Sequence, residues 1–181
     1  MSADAAGRGV DVATAARGDA RASAGPATTG ARPAVPALLW LLPAIALQAA
    51  VAALDAGTPP TFELSIVQGL ASLAAIVGGG ALIRAAVVEL DWNATPVCVD
   101  AAPRALVATG PYRHGRHPTY LGAALVLAGT ALALDSLAAG GVAAAYFAWL
   151  DLGPARREDA VLQARFGPAW RAYAARTRRW I

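Results

Sequence analysis

Long uncharged stretches alternate with short polar ones along most of the chain. The first apolar run covers residues 37–54, in which Gln48 is the one polar side chain. As a helix it reaches about 27 Å, close to the hydrocarbon thickness of a bilayer. A second run covers residues 64–83. The pattern predicts two membrane-spanning helices, of which Pro43 is expected to kink the first.

Three consecutive glycines, at 78–80, lie near the end of the second apolar run. Small residues let the backbones of neighbouring membrane helices approach closely, so this triplet predicts a helix–helix contact. A flexible hinge is the alternative that the sequence leaves open.

The third apolar region is interrupted at Asp135-Ser136 and again at Gly140-Gly141. Two helices over 119–134 and 137–152, each slightly short for a full span, fit this region better than one long helix. We therefore expect a tight helical hairpin with Asp135 at its tip, where the acid reaches water. A buried functional acid is the alternative.

Arginine marks one side of the predicted protein. The chain contains no lysine, and its arginines are confined to the residues before the first run, the connector 84–118 and the tail 153–181. Four spans put these three segments on one side, which the positive-inside rule identifies as the cytoplasm. The sequence therefore predicts an all-α, polytopic, integral membrane protein with both termini in the cytoplasm, in the cell membrane if the source is bacterial.

Composition agrees with a membrane protein, since 57% of the residues are hydrophobic and 15% are charged. Residues 1–35 carry almost no large apolar side chain and are predicted to be disordered, which leaves 36–181 as the membrane domain. The basic charge does not by itself predict nucleic-acid binding, and no nucleic-acid partner is expected. The single cysteine, Cys98, excludes an intrachain disulfide framework, and no motif predicts a metal site.

A basic and aromatic loop leads without a break into the hairpin, over residues 109–122. Pro118 has its φ preset for the first turn of a helix, so His117 falls near the N-cap and Tyr120 projects from the first turn. The free N–H groups of that turn, the helix dipole and Arg116 all favour an anion. The alternative is that Arg116 and His117 only anchor a spanning helix at the membrane interface.

The tail 154–181 predicts a pair of amphipathic helices. Pro154 can open the first, and Phe166-Gly167-Pro168 marks its end and the start of the second. The arginine-rich outer face of this segment is expected to lie on anionic lipid at the cytoplasmic surface.

Glu158 heads an apolar stripe on the first tail helix, because Leu162 and Phe166 follow it at intervals of four residues. A buried carboxylate requires a partner, so Glu158 is a candidate site residue. Asp159 has a simpler explanation as the partner of Arg156, three residues earlier.

Two motifs in this order resemble the isoprenylcysteine carboxyl methyltransferase family. The first is Gly110-Pro111-Tyr112 followed by Arg116-His117-Pro118-Thr119-Tyr120-Leu121-Gly122. The second is Glu158-Asp159 with Leu162, Phe166-Gly167, Trp170, Tyr173 and Arg179-Trp180-Ile181. The resemblance covers about residues 84–181. It departs from the family pattern at Asp159, where glutamate is usual, and at Trp170, where tyrosine is usual.

In that family the two motifs flank a helical hairpin and hold S-adenosylmethionine at the cytoplasmic face. The resemblance implies the same cofactor here, in a pocket lined by Tyr112, Arg116, His117, Tyr120, Gly122 and Glu158. Arg113 and Arg176 are the candidates for holding an anionic acceptor during catalysis. The acceptor is expected to be a lipophilic small molecule or a prenylated substrate that enters from the bilayer, with membrane lipids as the other partner.

Several functions stay open at this point. A carboxylate acceptor, as in isoprenylcysteine-type O-methylation, is the preferred one, and a thiol or a lipid amine is the alternative within the same class. A second class is an NADPH-dependent membrane reductase of the sterol reductase type. Those enzymes usually read Arg-His-Pro-Asn-Tyr, whereas Thr119 stands at the fourth position here. The third class is a non-catalytic membrane protein whose arginines bind lipid.

Overall fold

The computed structural model describes residues 37–55, 66–93, 103 and 105–181, and within them the regular structure is helical. Six α-helices follow one another: α1 Leu41–Asp55, α2 Ile66–Trp92, α3 Pro118–Ala133, α4 Leu137–Leu152, α5 Pro154–Phe166 and α6 Pro168–Arg176. Short 3-10 helices cover Ala37–Trp40 and Gly110–Arg113. The predicted all-α class is confirmed for this part of the chain. The predictions for residues 1–35 and for Cys98 lie outside it.

Local residues set most helix boundaries where the sequence predicts them. Proline opens α3, α5 and α6, because its φ is already that of a first helical turn. At the start of α4, Ser136 Oγ accepts a hydrogen bond from Ala139 N at 3.1 Å, which satisfies one of the free amides of that turn. Asp135 lies in the turn between α3 and α4, as predicted, and Gly167 takes the positive φ of 49° between α5 and α6.

Of three predictions about the helices, one is wrong, one is confirmed and one stays a prediction. Pro43 lies in the first turn of α1, shortly after the 3-10 helix Ala37–Trp40, and the kink at this residue stays a prediction. The predicted end of the second helix is wrong, because Arg84 interrupts the apolar run without ending the helix, which continues to Trp92. The predicted hairpin is confirmed, because α3 and α4 are separate helices on either side of Asp135-Ser136 and α4 runs unbroken through Gly140-Gly141.

The extension of α2 supports the loop that precedes α3. Ala86 on this extension is fully buried and packs with Val107 and Tyr112. Glu89 accepts a hydrogen bond from the hydroxyl of Thr109. The extension of α2 beyond residue 83 therefore holds the start of the 109–122 loop in place.

Polar contacts join the helix ends at one end of the bundle. Ser136 Oγ donates a hydrogen bond to Asp55 Oδ2 at 2.9 Å, which ties the α3–α4 turn to the end of α1. Gln68 Nε2, near the start of α2, donates to the Leu132 carbonyl at 3.0 Å. The start of α3 and the end of α4 therefore lie at the opposite end.

Backbones of α2 and α3 approach closely at glycine, as predicted. A Cβ on Gly79 would lie 2.6 Å from the carbonyl oxygen of Gly122, and a Cβ on Gly122 would lie 2.6 Å from that of Gly79. Gly78 and Gly80 have open space where a Cβ would be. Since α2 is continuous through the triplet, close approach rather than a hinge explains Gly79.

We expect Gly79→Ala to lower the free energy of unfolding by about 1–3 kcal/mol, because the added methyl group overpacks the α2–α3 contact. The matched control is Gly80→Ala, which is expected to leave stability unchanged or to raise it by up to about 1 kcal/mol. Unfolding of both variants in mixed detergent micelles measures the difference. Equal effects of the two substitutions would contradict the packing account.

The outer surface of the bundle is apolar. Two helical stretches, Ala37–Asp55 and Ile66–Trp92, are long and apolar enough to cross a membrane, and Pro118–Ala133 is a shorter apolar helix. Large side chains point outward from the two longer stretches: Leu39, Leu42, Leu47, Leu54, Val67, Leu70, Leu73 and Val77. A continuous apolar exterior of this kind suits lipid better than water. The count of four spans stays a prediction.

Candidate active site

Three parts of the chain meet at the end of the bundle where α3 begins: the loop before α3, helix α5 and the tail segment 177–181. Gly115 pairs with Arg178 in an isolated parallel bridge. The amide of Arg116 then donates to the carbonyl of Arg178 at 3.0 Å and to that of Arg179 at 3.2 Å. A Cβ on Gly115 would collide with the Trp180 carbonyl, so this close approach requires glycine. The pairing places the next residue, His117, between the tail and α5.

His117 is the buried centre of the site, with 3% of its surface exposed. Its Nε2 lies 3.1 Å from Asp159 Oδ1, and its Nδ1 lies 3.3 Å from Glu158 Oε2. Tyr120 stacks on the imidazole with ring centroids 5.5 Å apart, and the Trp180 ring lies 5.9 Å away. The imidazole therefore bridges two adjacent carboxylates between aromatic rings.

Asp159 binds three cationic groups, and the predicted pairing with Arg156 is wrong. Its Oδ2 lies 3.3 Å from Arg179 and 3.7 Å from Arg116, while Oδ1 contacts His117. Arg156 is exposed and pairs instead with Asp151 at 3.9 Å. Helical spacing permits the predicted pair, but α5 turns Asp159 toward the interior and Arg156 toward solvent.

The pKa of His117 reflects two opposing influences. Burial lowers it, but the hydrogen bond to Asp159 and the negative charges of Asp159 and Glu158 outweigh burial and raise the pKa to about 9. Burial also acts to raise the pKa of Asp159, yet the hydrogen bond from His117 and the charges of His117, Arg116 and Arg179 hold it below its usual range. At neutral pH the centre of the site is therefore an imidazolium–carboxylate pair.

This pair predicts a loss of stability in mild alkali. Because the folded-state pKa of His117 is raised from 6.5 to about 9, its contribution is fully present below pH 6.5 and is lost as the pH rises through about 9. The expected loss is on the order of 3 kcal/mol. Unfolding measured across this pH range is expected to show the decline in wild type and in the exposed control His114→Gln. The decline should be absent in His117→Gln, and a decline retained there would exclude His117 as its source.

Buried aromatic residues hold α6 against the loop before α3. The Tyr173 hydroxyl donates to the Tyr112 carbonyl at 2.6 Å, and the Tyr112 hydroxyl lies 3.5 Å from Thr119 Oγ1. Burial raises the pKa of Tyr112 and raises that of Tyr173 to about 12, so both stay neutral. The guanidinium of Arg116 lies over the Trp170 ring, 5.5 Å from its centroid. That cation–π contact holds Arg116 beside Asp159.

Comparison with known proteins identifies the family. A family model described as phospholipid methyltransferase matches residues 67–169, more than half of the chain. The chain belongs to the phospholipid methyltransferase family. This family is part of the isoprenylcysteine carboxyl methyltransferase superfamily of membrane methyltransferases, so the resemblance seen in the sequence is confirmed and the protein is a membrane methyltransferase. No curated protein and no solved structure matches the chain.

Most of the predicted cofactor-binding residues of this methyltransferase come together. The side chains of Tyr120 and Glu158 contact His117, and Arg116 contacts the same Asp159 as His117 does. Tyr112 lies beside them, with its hydroxyl 3.5 Å from that of Thr119. Their role in holding a cofactor stays a prediction.

Three other predicted site residues of the methyltransferase lie elsewhere. Gly122 faces Gly79 of α2, where it serves helix packing. Arg113 is exposed and donates from Nε to His114 Nε2 at 3.0 Å, and Arg176 is exposed at the end of α6. Their catalytic role as holders of an anionic acceptor stays a prediction.

Sequence reasoning missed Asp151 and gave no role to Arg179 or Trp180. Asp151 Oδ1 lies 3.3 Å from Arg179 and accepts a hydrogen bond from Trp180 Nε1 at 3.1 Å. One signal was available, because Asp151 is an acid near the end of the otherwise uncharged helix α4. Asp151 therefore links the α3–α4 hairpin of the methyltransferase to its tail.

Proposed function

We propose that this membrane protein uses S-adenosylmethionine to methylate a lipophilic acceptor that arrives through the bilayer, with a carboxylate as the accepting group. The observation that carries the proposal is the buried His117 held between Glu158 and Asp159 at the start of a helix. It joins both sequence motifs of a methyltransferase superfamily in one site, on the arginine-rich side of the chain.

The donor groups of the site suit the cofactor. Among the described residues, three buried nitrogen atoms lack a hydrogen-bond partner: Arg116 Nε, His117 Nδ1 and Arg179 Nε. His117 Nδ1 lies within ion-pair distance of Glu158, but without the alignment of a hydrogen bond. Unpaired buried donors are costly, and the carboxylate of S-adenosylmethionine is an acceptor that would relieve them.

Glu158 would bind the hydrogen-bond donors of the cofactor. One third of its side-chain surface is exposed, which is more than for Asp159 or Arg116. A carboxylate is acceptor-only when ionised, so it suits the amine and the ribose hydroxyls of S-adenosylmethionine. These residues together would fix the carboxylate and the amine of the amino-acid part of the cofactor.

The chemistry needs little acid–base assistance when the acceptor is a carboxylate. S-adenosylmethionine supplies an electrophilic methyl group, so the O–CH₃ bond forms as the S–CH₃ bond breaks and its electron pair stays on sulfur. The protein's part is to hold the acceptor in line and to exclude water, an effect that can supply roughly 7–11 kcal/mol. We assign the holding of the acceptor's charge to the exposed Arg113 and Arg176.

An apolar groove between α3 and α4 supports a lipophilic acceptor. It has a volume of about 500 Å³, and Leu121, Ala128 and Phe147 are among the residues that line it. At the end nearest the site, the Phe147 ring packs against Trp180 with centroids 4.8 Å apart, and Trp180 in turn faces His117. A hydrocarbon chain in this groove would bring its polar end toward the candidate site.

A lipid amine is the second candidate acceptor, because the matching family is described as phospholipid methyltransferase. An ammonium group must lose a proton before it can accept a methyl group. Because Glu158 would be occupied by the cofactor, the amine would lose that proton to water and bind in its neutral form.

We further propose four spans, with α3 and α4 as the third and fourth. The contact of Ser136 with Asp55 supports this topology, because it brings both predicted non-cytoplasmic turns to one end of the bundle. The 109–122 loop and the tail then share the cytoplasmic side with the N-terminal residues, as the arginine distribution favours.

Transfer of a radiolabelled methyl group tests the proposed function. The protein in lipid nanodiscs receives labelled S-adenosylmethionine with lipophilic carboxylic acids, thiols or aminophospholipids. Mild alkali releases a methyl ester as volatile methanol, whereas N-methyl and S-methyl products are stable. We expect an alkali-labile label on a lipophilic acid. An alkali-stable label on an aminophospholipid would favour the second candidate, and no transfer to any acceptor would contradict both.

A further inference from the structure

We propose that Arg179 is a positioning residue of this site, which aligns the carboxylate of Asp159 with His117 by tying it to Asp151. The tail segment 177–181 is accordingly one wall of the site. The relevance of this alignment to methyl transfer rests on the proposed function. The alignment itself concerns the protein's own residues, and Arg179 lies outside the matched residues 67–169.

Arg179 reaches two carboxylates from different helices. One terminal nitrogen lies 3.3 Å from Asp151 Oδ1, at the end of α4, and the other lies 3.3 Å from Asp159 Oδ2, on α5. A planar guanidinium holds two acceptors in a fixed relation, which a single ammonium group does not. Arg179 is therefore suited to set the orientation of Asp159 relative to the hairpin.

The backbone of the tail is fastened to the loop that carries His117. The amide of Arg116 donates to the carbonyls of Arg178 and Arg179, one residue before His117. Trp180 adds a side-chain anchor, because its Nε1 donates to Asp151 while its ring packs near the imidazole. A change at Arg179 is thus transmitted to His117 through Asp159, while the backbone contacts keep the tail in place.

Asp159 divides its two oxygens between partners. Oδ1 lies 3.1 Å from His117 Nε2, and Oδ2 contacts Arg179 at 3.3 Å and Arg116 at 3.7 Å. Without Arg179, Oδ2 keeps only the longer contact with Arg116. The carboxylate can then rotate toward Arg116, and the hydrogen bond to the imidazole weakens.

Titration of His117 tests this alignment directly and without any ligand. The chain has two histidines, so a His114→Gln background with isotope-labelled histidine gives one imidazole signal in nuclear magnetic resonance spectra. We expect Arg179→Gln to lower the pKa of His117 by one unit or more from its value of about 9, because an aligned acceptor is lost. A merely electrostatic role predicts the opposite, since removing a nearby cation raises the pKa of an imidazole. A rise or no change would overturn the inference.

Two variants control the experiment. Arg178→Gln alters the exposed neighbour in the same tail and is expected to leave the titration unchanged. Arg179→Lys keeps the charge but reaches one carboxylate, so an intermediate shift is expected. Should Arg179→Gln fail to fold, Arg179→Lys carries the test, because an electrostatic role alone predicts no shift when the charge is kept, and no shift would overturn the inference. An effect of Arg178→Gln as large as that of Arg179→Gln would contradict the specific role of Arg179.

Calorimetry with S-adenosylmethionine separates this inference from the proposed function. We expect Arg179→Gln to weaken cofactor binding about tenfold, equivalent to about 1.4 kcal/mol. A shifted His117 titration with no binding to wild type would sink the proposed function and leave the alignment standing. Equal binding of S-adenosylmethionine by wild type and Arg179→Gln, with an unshifted His117 titration, would overturn the alignment and leave the proposed function standing.

Discussion

Replacing Asp159 by asparagine is expected to lower the free energy of unfolding at neutral pH by about 3 kcal/mol. Asp159 is the carboxylate shared by His117, Arg116 and Arg179, and its side chain is 15% exposed. Removing one partner of a largely buried ion pair leaves the other charges uncompensated, which typically costs 3–5 kcal/mol. The lower end of that range is expected because the carboxylate of Asp159 keeps some contact with solvent. Unfolding in mixed detergent micelles measures the change.

The matched control is Asp159→Glu, which keeps the charge and lengthens the side chain by one methylene group. It is expected to retain most of the stability that Asp159→Asn loses. Equal losses in the two variants would show that shape rather than charge matters at this position. A loss below about 0.5 kcal/mol in Asp159→Asn would contradict the central place of this carboxylate, since that is the range of ordinary surface substitutions.

Glu158→Gln is expected to weaken binding of S-adenosylmethionine by at least about tenfold while lowering the free energy of unfolding by less than Asp159→Asn does. Its side chain is one-third exposed, and its contact with His117 is 3.3 Å long without hydrogen-bond alignment, so the folded protein depends on it less than on Asp159. A hydrogen bond to a charged group is typically worth 1.5–3 kcal/mol, which accounts for the loss of affinity. Calorimetric titration and an unfolding curve on the same preparation measure both quantities.

Asp91→Asn removes an exposed carboxylate at the end of α2 and serves as the control for a general change in surface charge. It is expected to leave cofactor binding unchanged. Unchanged binding in Glu158→Gln as well would mean that the cofactor site is elsewhere. A large loss of stability in that variant would instead give Glu158 a structural role.

Helix boundaries were predictable where a single residue fixes the local backbone. Pro118, Pro154 and Pro168 each start a helix because a proline ring constrains φ irrespective of the rest of the fold. The end of α2 was misplaced because Arg84 interrupts the uncharged run, whereas the helix continues to Trp92 and Ala86 packs against the loop before α3.

The two halves of the site were predictable as motifs, but their contacts were not. His117 and Asp159 are 42 residues apart, and their contact depends on how the α3–α4 hairpin folds back. Helical spacing predicted Arg156 as the partner of Asp159, which is wrong. Spacing alone does not show which face of α5 packs against the rest of the protein. Asp151 was missed for the same reason, since its partner Arg179 comes from the distant tail.

Binding of the cofactor to wild-type protein tests the central claim most directly. In separate calorimetric titrations of the protein in nanodiscs, S-adenosylmethionine is expected to bind and NADPH is not, because the site combines donors for a carboxylate with the exposed acceptor Glu158. Tight binding of NADPH with no response to S-adenosylmethionine would contradict the account.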